Sequence, residues 1–550
     1  MTRNSQFDPK KLYMIPLGGS GEIGMNLNVY VFGGKLLVVD TGVTFENLPG
    51  VEVVMPDIGW LAKQKKHIVG IAITHAHEDH VGAIGHLWPE LGAPIYATPF
   101  TTGLMTHKLQ EARVRAPVNK VPLNGSVKIG PFDVTFVGLT HSVPEPSALA
   151  IKTGAGTVVH TGDWKIDPTP LVGAKTDEKT LKALGKEGVL ALVCDSTCVF
   201  EEGWSGSEKT VQTFLTKHLK SYKTGRVVVA CFASNVARLF TCFKAAEACG
   251  RKVVLAGRSL DRMNDIARKT GYFEDLPPFL KDNEAKNLPP EKTLIVATGS
   301  QGEPRAALRR MAFEQHPKLH LDEGDAVIFS SRTIPGNEKE IYALQNQLVS
   351  RGIKVVTPKQ YPDLHVSGHP SRDELKQMYT WLRPFSAVPV HGEDRHLIEH
   401  ASFAKDLGAK SLAPHNGDVI VLDAKKGPLK VGKVPSGRRG LDGHRLVPLE
   451  GQMLSDRRFL AMGGFVMISL SMQKKQLQGL QVSTMGVEEI AAQEDLERDI
   501  QTLVKRTFGR LSDQVRGEAQ SISDALAKDV RGLCQKRIGK KPFVAVHVLS

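Results

Sequence analysis

The chain of 550 residues is too long to close around one ordinary core and implies two to four domains. Its 41% hydrophobic and 23% charged residues describe a soluble globular protein, and apolar runs such as Phe465-Val466-Met467-Ile468-Ser469-Leu470 fall far short of the roughly 20 residues that cross a bilayer. A net charge of +13 favours a polyanionic partner, and RNA, DNA and an acidic protein all fit it.

The opening Met1-Thr2-Arg3-Asn4-Ser5-Gln6 leads into no signal-peptide core. Cys194, Cys198, Cys231, Cys242, Cys249 and Cys534 form no Cys-x-x-Cys pair and no disulfide framework, so a reducing, cytoplasmic setting without a membrane is expected. Cys194 and Cys198 flank Asp195 and read as buried thiols rather than metal ligands.

Up to about residue 205, short β-rich runs alternate with Gly-rich turns: 35–39, 134–137, 148–151 and 157–160. Strand tips ending in Asp40, His75, His141 and Asp163 would converge on one edge of a sandwich. The run Leu17 to Gly24 could pass for a phosphate loop, but tight turns between strands explain it better.

The densest chemistry is Thr74-His75-Ala76-His77-Glu78-Asp79-His80, which follows the apolar run 67–73 and precedes the helix-like 81–84. One such histidine is ordinarily a solvated loop residue. Imidazoles and a carboxylate packed this closely, at the carboxyl end of a buried strand, instead offer the nitrogen and oxygen ligands that Zn²⁺ takes.

From Ser207 to Val356 strands and helices alternate: 226–231 before a helix from Asn235, 252–255 before 261–269, 294–297 before 305–313, and 326–329 before 338–348. That rhythm predicts a parallel sheet with helices on both faces. Its strand-to-helix turns, 232–235, 257–259, 298–304 and 330–333, are small and polar, with Arg258 and Arg332 nearby. Capping explains each alone; four along one edge favour a shared phosphate-bearing ligand.

The segments 364–369 and 387–393 then read as short strands with polar tips. Lys425 to Arg445 is basic and Gly/Pro-punctuated, and reads as a domain end plus linker whose charge suits either solvent or nucleic acid. The remainder predicts strands at 465–472, 481–485 and 543–549, with helices at 487–508 and 513–535. The apolar spacing of those helices does not persist as a heptad, which argues against a coiled coil and leaves assembly or RNA contact as their job.

The order His-x-His-x-Asp-His resembles the signature of the metallo-β-lactamase superfamily, and Asp40-Thr41-Gly42, Thr140-His141-Ser142 and Gly162-Asp163 fall where its other motifs should. Adding Asp195-Ser196-Thr197, Phe232-Ala233-Ser234-Asn235, Thr298-Gly299-Ser300-Gln301-Gly302-Glu303-Pro304, His365-Val366-Ser367-Gly368-His369 and Pro389-Val390-His391-Gly392-Glu393, the chain resembles the β-CASP family and within it the bacterial ribonuclease J family. The resemblance implies an α/β fold: a metallo-β-lactamase αββα sandwich with an inserted β-CASP parallel-sheet domain and a small C-terminal α/β domain. The expected division is 1–206, 207–356, 357–450, a linker at 451–464, and 465–550.

It also implies two Zn²⁺ ions per subunit, with Mn²⁺ accepted by the same ligands: His75, His77 and His141 for one, Asp79, His80 and His391 for the other, and Asp163 between them. Such paired ions activate water near neutral pH. Asp79, Asp195 and His369 are the expected catalytic residues. His369 suits protonation of the leaving 3′ oxygen, and Asp195 would orient it. By resemblance, Ala233, Ser234, Asn235, Ser331, His365, Val366, Ser367, Gly368 and His369 hold a terminal nucleotide and its phosphate. The activity implied is degradation of single-stranded RNA from a 5′-monophosphate end together with internal cleavage, by a homodimer or homotetramer working beside other RNA-decay proteins.

Cys198, the Val143-Pro144-Glu145-Pro146 run after His141-Ser142, and Pro370 depart from the family pattern without removing a ligand. A small-molecule hydrolase would need neither the insert nor the basic surface. A DNA-processing member would be expected to carry Val in place of His391, and a scaffold with a dead site would be expected to lose ligands.

Overall fold

The computed structural model describes residues 7–285 and 288–549, so the reading of Met1 to Gln6 lies outside the described residues. The chain forms two compact units, one of residues up to Thr44 with Val54–Arg438, the other of Phe45–Val53 with the chain from Arg439.

The first unit holds two sheets packed face to face. One runs in the order Gly427–Lys433, Asp418–Asp423, Tyr13–Gly18, Leu27–Phe32, Lys35–Val39, Ile68–Ala72, Ile95–Ala97 and Val118–Lys120. The other runs Ser126–Ile129, Phe132–Gly138, Ser147–Thr153, Gly156–His160, Ala191–Asp195, Ser386–Val390 and Lys410–Ser411. Met14, Tyr30 and Leu37 from the first sheet meet Phe132, Phe136, Leu149 and Ile151 from the second in one dry core. Alternation along each strand supplies these inward faces. On the outside of the second sheet, Ala148, Val159 and Leu192 pack with Leu181, Leu375, Met378 and Ala404 from three helices. On the other side of the unit, helices Ile84–Leu91 and Pro99–Glu111 bury Ile84, Leu87, Phe100 and Leu104. The layering is the expected αββα sandwich.

The insert lies in the chain between Ala191–Asp195 and its parallel neighbour Ser386–Val390, with Asp195 opposite Val390. That pairing brings both cut ends to one sheet edge. Within the insert, five parallel strands run in the order Lys252–Ala256, Thr293–Ala297, Val227–Ala230, Ala326–Phe329 and Lys354–Val356. Each is nearly all apolar, as a strand covered on both faces must be. Asn235 caps the helix Val236–Glu247 through its side chain. Gly257, at φ 137°, lets the next helix begin at Arg258, three residues before the expected start.

Three readings are corrected. Residues after Pro362–Leu364, through His369, form no strand; their carbonyls are held by side chains instead of a ladder. The expected linker at 451–464 contains the helix Gln452–Gly463. The basic stretch from Lys425 is mostly strand, Gly427–Lys433 and Arg438–Asp442.

Arg445–Pro448, Arg438–Asp442, Val51–Pro56 and Thr44–Leu48 form a four-stranded sheet, most of whose residues belong to the second unit. The C-terminal part of that unit pairs Phe465–Gln473 with Gln476–Met485 and Phe543–Leu549. Helices Ile490–Arg510 and Ala519–Ile538 cover that sheet through Leu496, Ile500, Leu526 and Val530. Among the described residues, no helix is long and apolar enough to cross a membrane.

Candidate metal centre

Strand ends of both sheets deliver the polar groups. The strand Ile68–Ala72 ends just before His75, and the chain turns at His77 into the short helix Glu78–Val81. Gly42 makes this turn fit, since a Cβ there would stand 1.7 Å from the Asp79 carbonyl oxygen. Asp40, at φ 64° and fully buried, accepts from the Thr74 backbone N–H at 2.8 Å and from His80 Nδ1 at 2.7 Å. That leaves His80 Nε2 directed outward. Burial opposes charge on the ring, but Asp163, Asp79 and Asp40 together outweigh it and raise the His80 pKa well above its ordinary range.

Asp163 lies at the middle. Its Oδ2 is 3.8 Å from Nε2 of both His75 and His141, while Oδ1 is 3.0 Å from His80 Nε2 and 3.5 Å from His391 Nε2. Asp79 Oδ2 stands 3.5 Å from His391 Nε2 and 3.6 Å from His80 Nε2. His77 points Nδ1 at His141 Nε2, 3.0 Å away. Two groups result, His75, His77, His141 and Asp163, and Asp79, His80, Asp163 and His391, each with ligand atoms within 4.8 Å of one another. An overlapping group of Asp163, Asp195, His369 and His391 meets the same criterion.

The donor set fits divalent cations. His75 Nε2 is buried with no hydrogen-bond partner among the described residues, a costly arrangement unless something binds it. Burial, with His80 next, holds the His75 imidazole well below its ordinary range; burial, with His77 next, does so for His141. Burial takes His77 down to about 4 against the pull of Asp79 and Asp163. Neutral imidazoles with converging lone pairs are what a metal takes. For Asp163, burial favours the acid form, but His391, His80 and His369 outweigh it and keep the carboxylate ionised.

Beside these groups, His369 Nδ1 donates to Asp195 Oδ2 at 2.8 Å and lies 3.8 Å from Asp163 Oδ2. Burial opposes its charge, yet Asp195 and Asp163 together push its pKa up to about 10. His141 Nδ1 donates to the Gly368 carbonyl at 2.5 Å, and a Cβ on Gly368 would meet His141 Cε1 at 2.7 Å. Only glycine lets the ring lie there.

Among the remaining expected residues, Asn235 spends its Oδ1 on the Arg238 backbone N–H at 2.8 Å, leaving Nδ2 for a ligand. Ala233 and Ser234 are half-buried in the turn before it. The helix that Asn235 caps adjoins the His141 loop, with Ala237 N donating to Ser142 O at 3.4 Å. Ser331 is buried beside Gln301, whose Nε2 is 3.4 Å from its Oγ. His365 is held neutral, its pKa lowered to about 3 by burial and then by Arg238 and Lys165, and its buried Nδ1 has no partner among the described residues. Val366 and Ser367 are half-buried, and Ser367 Oγ lies 3.4 Å from Cys198 Sγ. Cys194 and Cys198 are indeed buried. Glu145, one of the departures, accepts from Phe100 N at 2.7 Å and Tyr272 Oη at 2.9 Å, joining the His141 loop to the insert.

Asn26 escaped the sequence reading. Its side chain donates to the Asp79 carbonyl at 3.1 Å, and its amide meets His391 Nδ1 through Oδ1 at 3.0 Å and Nδ2 at 2.8 Å, orienting a candidate ligand of each sheet. A lone asparagine two residues past a Gly-rich turn carries no local signal of that task.

Comparison with known proteins agrees over the whole chain. Residues 24–178 match the family described as "Metallo-beta-lactamase superfamily", 224–348 "Ribonuclease J, beta-CASP domain", 362–414 "Zn-dependent metallo-hydrolase RNA specificity domain" and 452–550 "Ribonuclease J C-terminal domain". The chain is 42% identical to Ribonuclease J of Sinorhizobium meliloti over 98% of its own length and 97% of that protein's. It is 33% identical to Ribonuclease J of Helicobacter pylori strain B128, over 100% of this chain and 80% of that one. A crystal structure of a protein of unknown function from Enterococcus faecalis V583 shares the fold, with TM-score 0.53 and 17% identity over 75% of this chain and 100% of that one. With ligand-bearing strand ends, parallel-sheet insert and C-terminal domain all matched, the chain belongs to the ribonuclease J family of β-CASP metallo-β-lactamases.

Proposed function

We propose that this chain is a metal-dependent ribonuclease that releases nucleotides from the 5′ end of single-stranded RNA, prefers a 5′-monophosphate, and also cuts internally. The observation that carries this reading is Asp163, whose two oxygens face two separate ligand groups while the His369–Asp195 pair borders both. His75, His77 and His141 would hold one Zn²⁺, Asp79, His80 and His391 the other, with Asp163 shared; Mn²⁺ suits the same donors. Two such ions, when bound, supply Lewis-acid stabilisation of charge on the phosphate and activation of water near neutral pH.

The chain's own residues do the rest. Asp195 holds the Nδ1–H of His369, so Nε2 is the nitrogen that gives a proton to the departing 3′ oxygen. Asp79, partly exposed beside His391, orients the reacting groups at that end. The turn Ala233-Ser234-Asn235, Ser331 and the segment His365 to His369 would cradle the terminal nucleotide. Asn235, whose Oδ1 is spent on the Arg238 N–H and whose Nδ2 faces no protein acceptor among the described residues, suits one phosphate there, and a pocket built for one phosphate gives two more nowhere to go. The division at 206/207 and 356/357, a cytoplasmic site of action, and a homodimer or homotetramer working with other RNA-decay proteins belong to the same proposal. Cysteines that are free and mostly buried agree with a reducing compartment.

The test is direct. Zinc-loaded protein is incubated with labelled single-stranded RNA bearing a 5′-monophosphate or a 5′-triphosphate, and with DNA, before and after chelation. Mononucleotides should appear from RNA, at least about tenfold faster from the monophosphate, and disappear with chelation. Equal rates on both ends would contradict the pocket, and preference for DNA would contradict the substrate.

A further inference from the structure

We propose that Lys165 is a positioning residue for phosphodiester cleavage: its buried ammonium holds the Ser367 carbonyl and so sets the segment carrying His369 against the metal centre. The inference rests on the reading of His369 as proton donor given above.

Lys165 is 2% exposed. Its Nζ donates to the carbonyl oxygens of Ser367, at 3.0 Å, and Gly206, at 2.8 Å, while the Asp167 carboxylate stands off at 3.9 Å. An ammonium buried with the Asp167 carboxylate 3.9 Å away gives up its hydration for two carbonyl contacts, a costly way to add stability to a fold. What the ammonium does that a methyl group cannot is fix where those two carbonyls lie.

Both ends of the side chain matter. Its backbone is fastened to the residue before His141: Lys165 N donates to Thr140 O at 2.8 Å, and Thr140 Oγ1 donates to Lys165 O at 2.8 Å. It follows Asp163 by two positions. Its root is therefore set by the strand ends that carry two ligands, and its tip reaches the segment that carries the proton donor.

That segment needs such a restraint, because it has no strand ladder of its own. Leu364 O is held from the insert by Ser330 Oγ at 2.7 Å and Arg238 Nη1 at 3.2 Å. Ser367 O is held by Lys165, and Gly368 O by His141. Ser367 Oγ then accepts from His369 N at 3.0 Å. Removing the ammonium frees the middle of this series, one peptide from the His141 contact. Gly206, the second carbonyl, lies where the chain enters the insert, so one cation ties the entry to the returning segment.

The experiment compares Lys165→Met, His369→Ala and the double variant in the full chain. Two RNAs are used, one ordinary and one with sulfur replacing the bridging 3′ oxygen of the scissile linkage, whose thiolate departs without a proton. We expect Lys165→Met to slow single-turnover cleavage of ordinary RNA by at least about tenfold and of the sulfur-linked RNA by less than about threefold. Metal content should equal wild type, and the double variant should be no slower than His369→Ala. Equal losses on both RNAs, loss of metal, or no loss on ordinary RNA would overturn the assignment. If His369→Ala itself cleaves ordinary RNA at the wild-type rate, the reading of His369 fails first, and the two failures are told apart. Should Lys165→Met not fold by circular dichroism, Lys165→Gln, uncharged and too short to hold both carbonyls, carries the same comparison; failure of both to fold would make the ammonium a structural requirement and overturn the proposal.

Discussion

Nε2 of His391 stands 3.5 Å from Oδ1 of Asp163, although the whole insert separates the two in the chain. The parallel pairing of Ala191–Asp195 with Ser386–Val390 makes this approach, since it sets the last residue of the strand before the insert beside the residue preceding His391. A left-handed backbone at His391, φ 54°, then turns the ring inward. Neither half of the sandwich completes the second ligand group alone.

His391→Ala should therefore remove one of two metals and leave the His75, His77, His141 and Asp163 group loaded. Metal analysis of the purified protein would read one ion per chain in place of two. RNA cleavage should fall by about a hundredfold or more, in line with loss of one half of a two-ion clamp. Full metal content in this variant would contradict the assignment.

Asp40 and Asn26 touch side chains proposed as ligands rather than the metals themselves. Asp40→Asn removes the charged acceptor of His80 Nδ1, and Asn26→Ala removes the amide partner of His391 Nδ1. Each should weaken metal affinity by about 10- to 100-fold, measured by competition with a chelator, while far-UV circular dichroism stays unchanged.

His369→Ala should lower single-turnover RNA cleavage by about 10²- to 10⁴-fold with metal fully retained. Asp195→Asn should fall between that variant and wild type, because an amide can present its N–H₂ to the ring and favour the wrong tautomer. An unchanged rate in His369→Ala removes this residue from the chemistry.

Gly368→Ala tests the ring contact. The new Cβ would stand 2.7 Å from His141 Cε1 and push that ring off the Gly368 carbonyl. Metal affinity should drop by about tenfold or more, with little change in melting temperature.

His400 supplies a pH signature remote from substrate. It is fully buried between Ser196 Oγ, at 2.9 Å, and Tyr379 Oη, at 3.1 Å, and burial lowers its pKa to about 4 despite the pull of Asp195. The folded state thus resists a proton that the unfolded chain accepts below its ordinary value near 6.5. The stability tied to its neutral form is complete above pH 6.5 and declines as pH falls towards 4, reaching a loss of about 2 kcal/mol by pH 5. Thermal melts at pH 7 and pH 5 should show wild type losing more than His400→Gln; parallel losses would contradict the shift.

Much of this molecule was legible from short-range patterns. Strands such as Lys35–Val39 and Gly156–His160 announce themselves by apolar runs ending in polar tips, and the insert by regular spacing of β-rich runs and helix caps such as Asn235. The histidines from His75 to His80 state their chemistry by proximity alone. Other elements carried no such mark. The helix Gln452–Gly463 buries only Leu454 and Gly463, so no apolar stripe betrays it. The hairpin at Lys474 and Lys475 takes left-handed backbone, φ 47° and 61°, without the glycine or asparagine that signals such a turn.

By itself the sequence determined which side chains could serve as ligands, acids and caps, because those properties belong to residue type and near neighbours. Tertiary structure alone decided how the two oxygens of Asp163 are divided between ligand groups, that Asn26 steadies His391, and that Lys165 reaches Ser367. Each of those contacts joins segments far apart in the chain and exists only once two sheets have packed and an insert has returned, so its geometry comes from the closed core rather than from any local pattern.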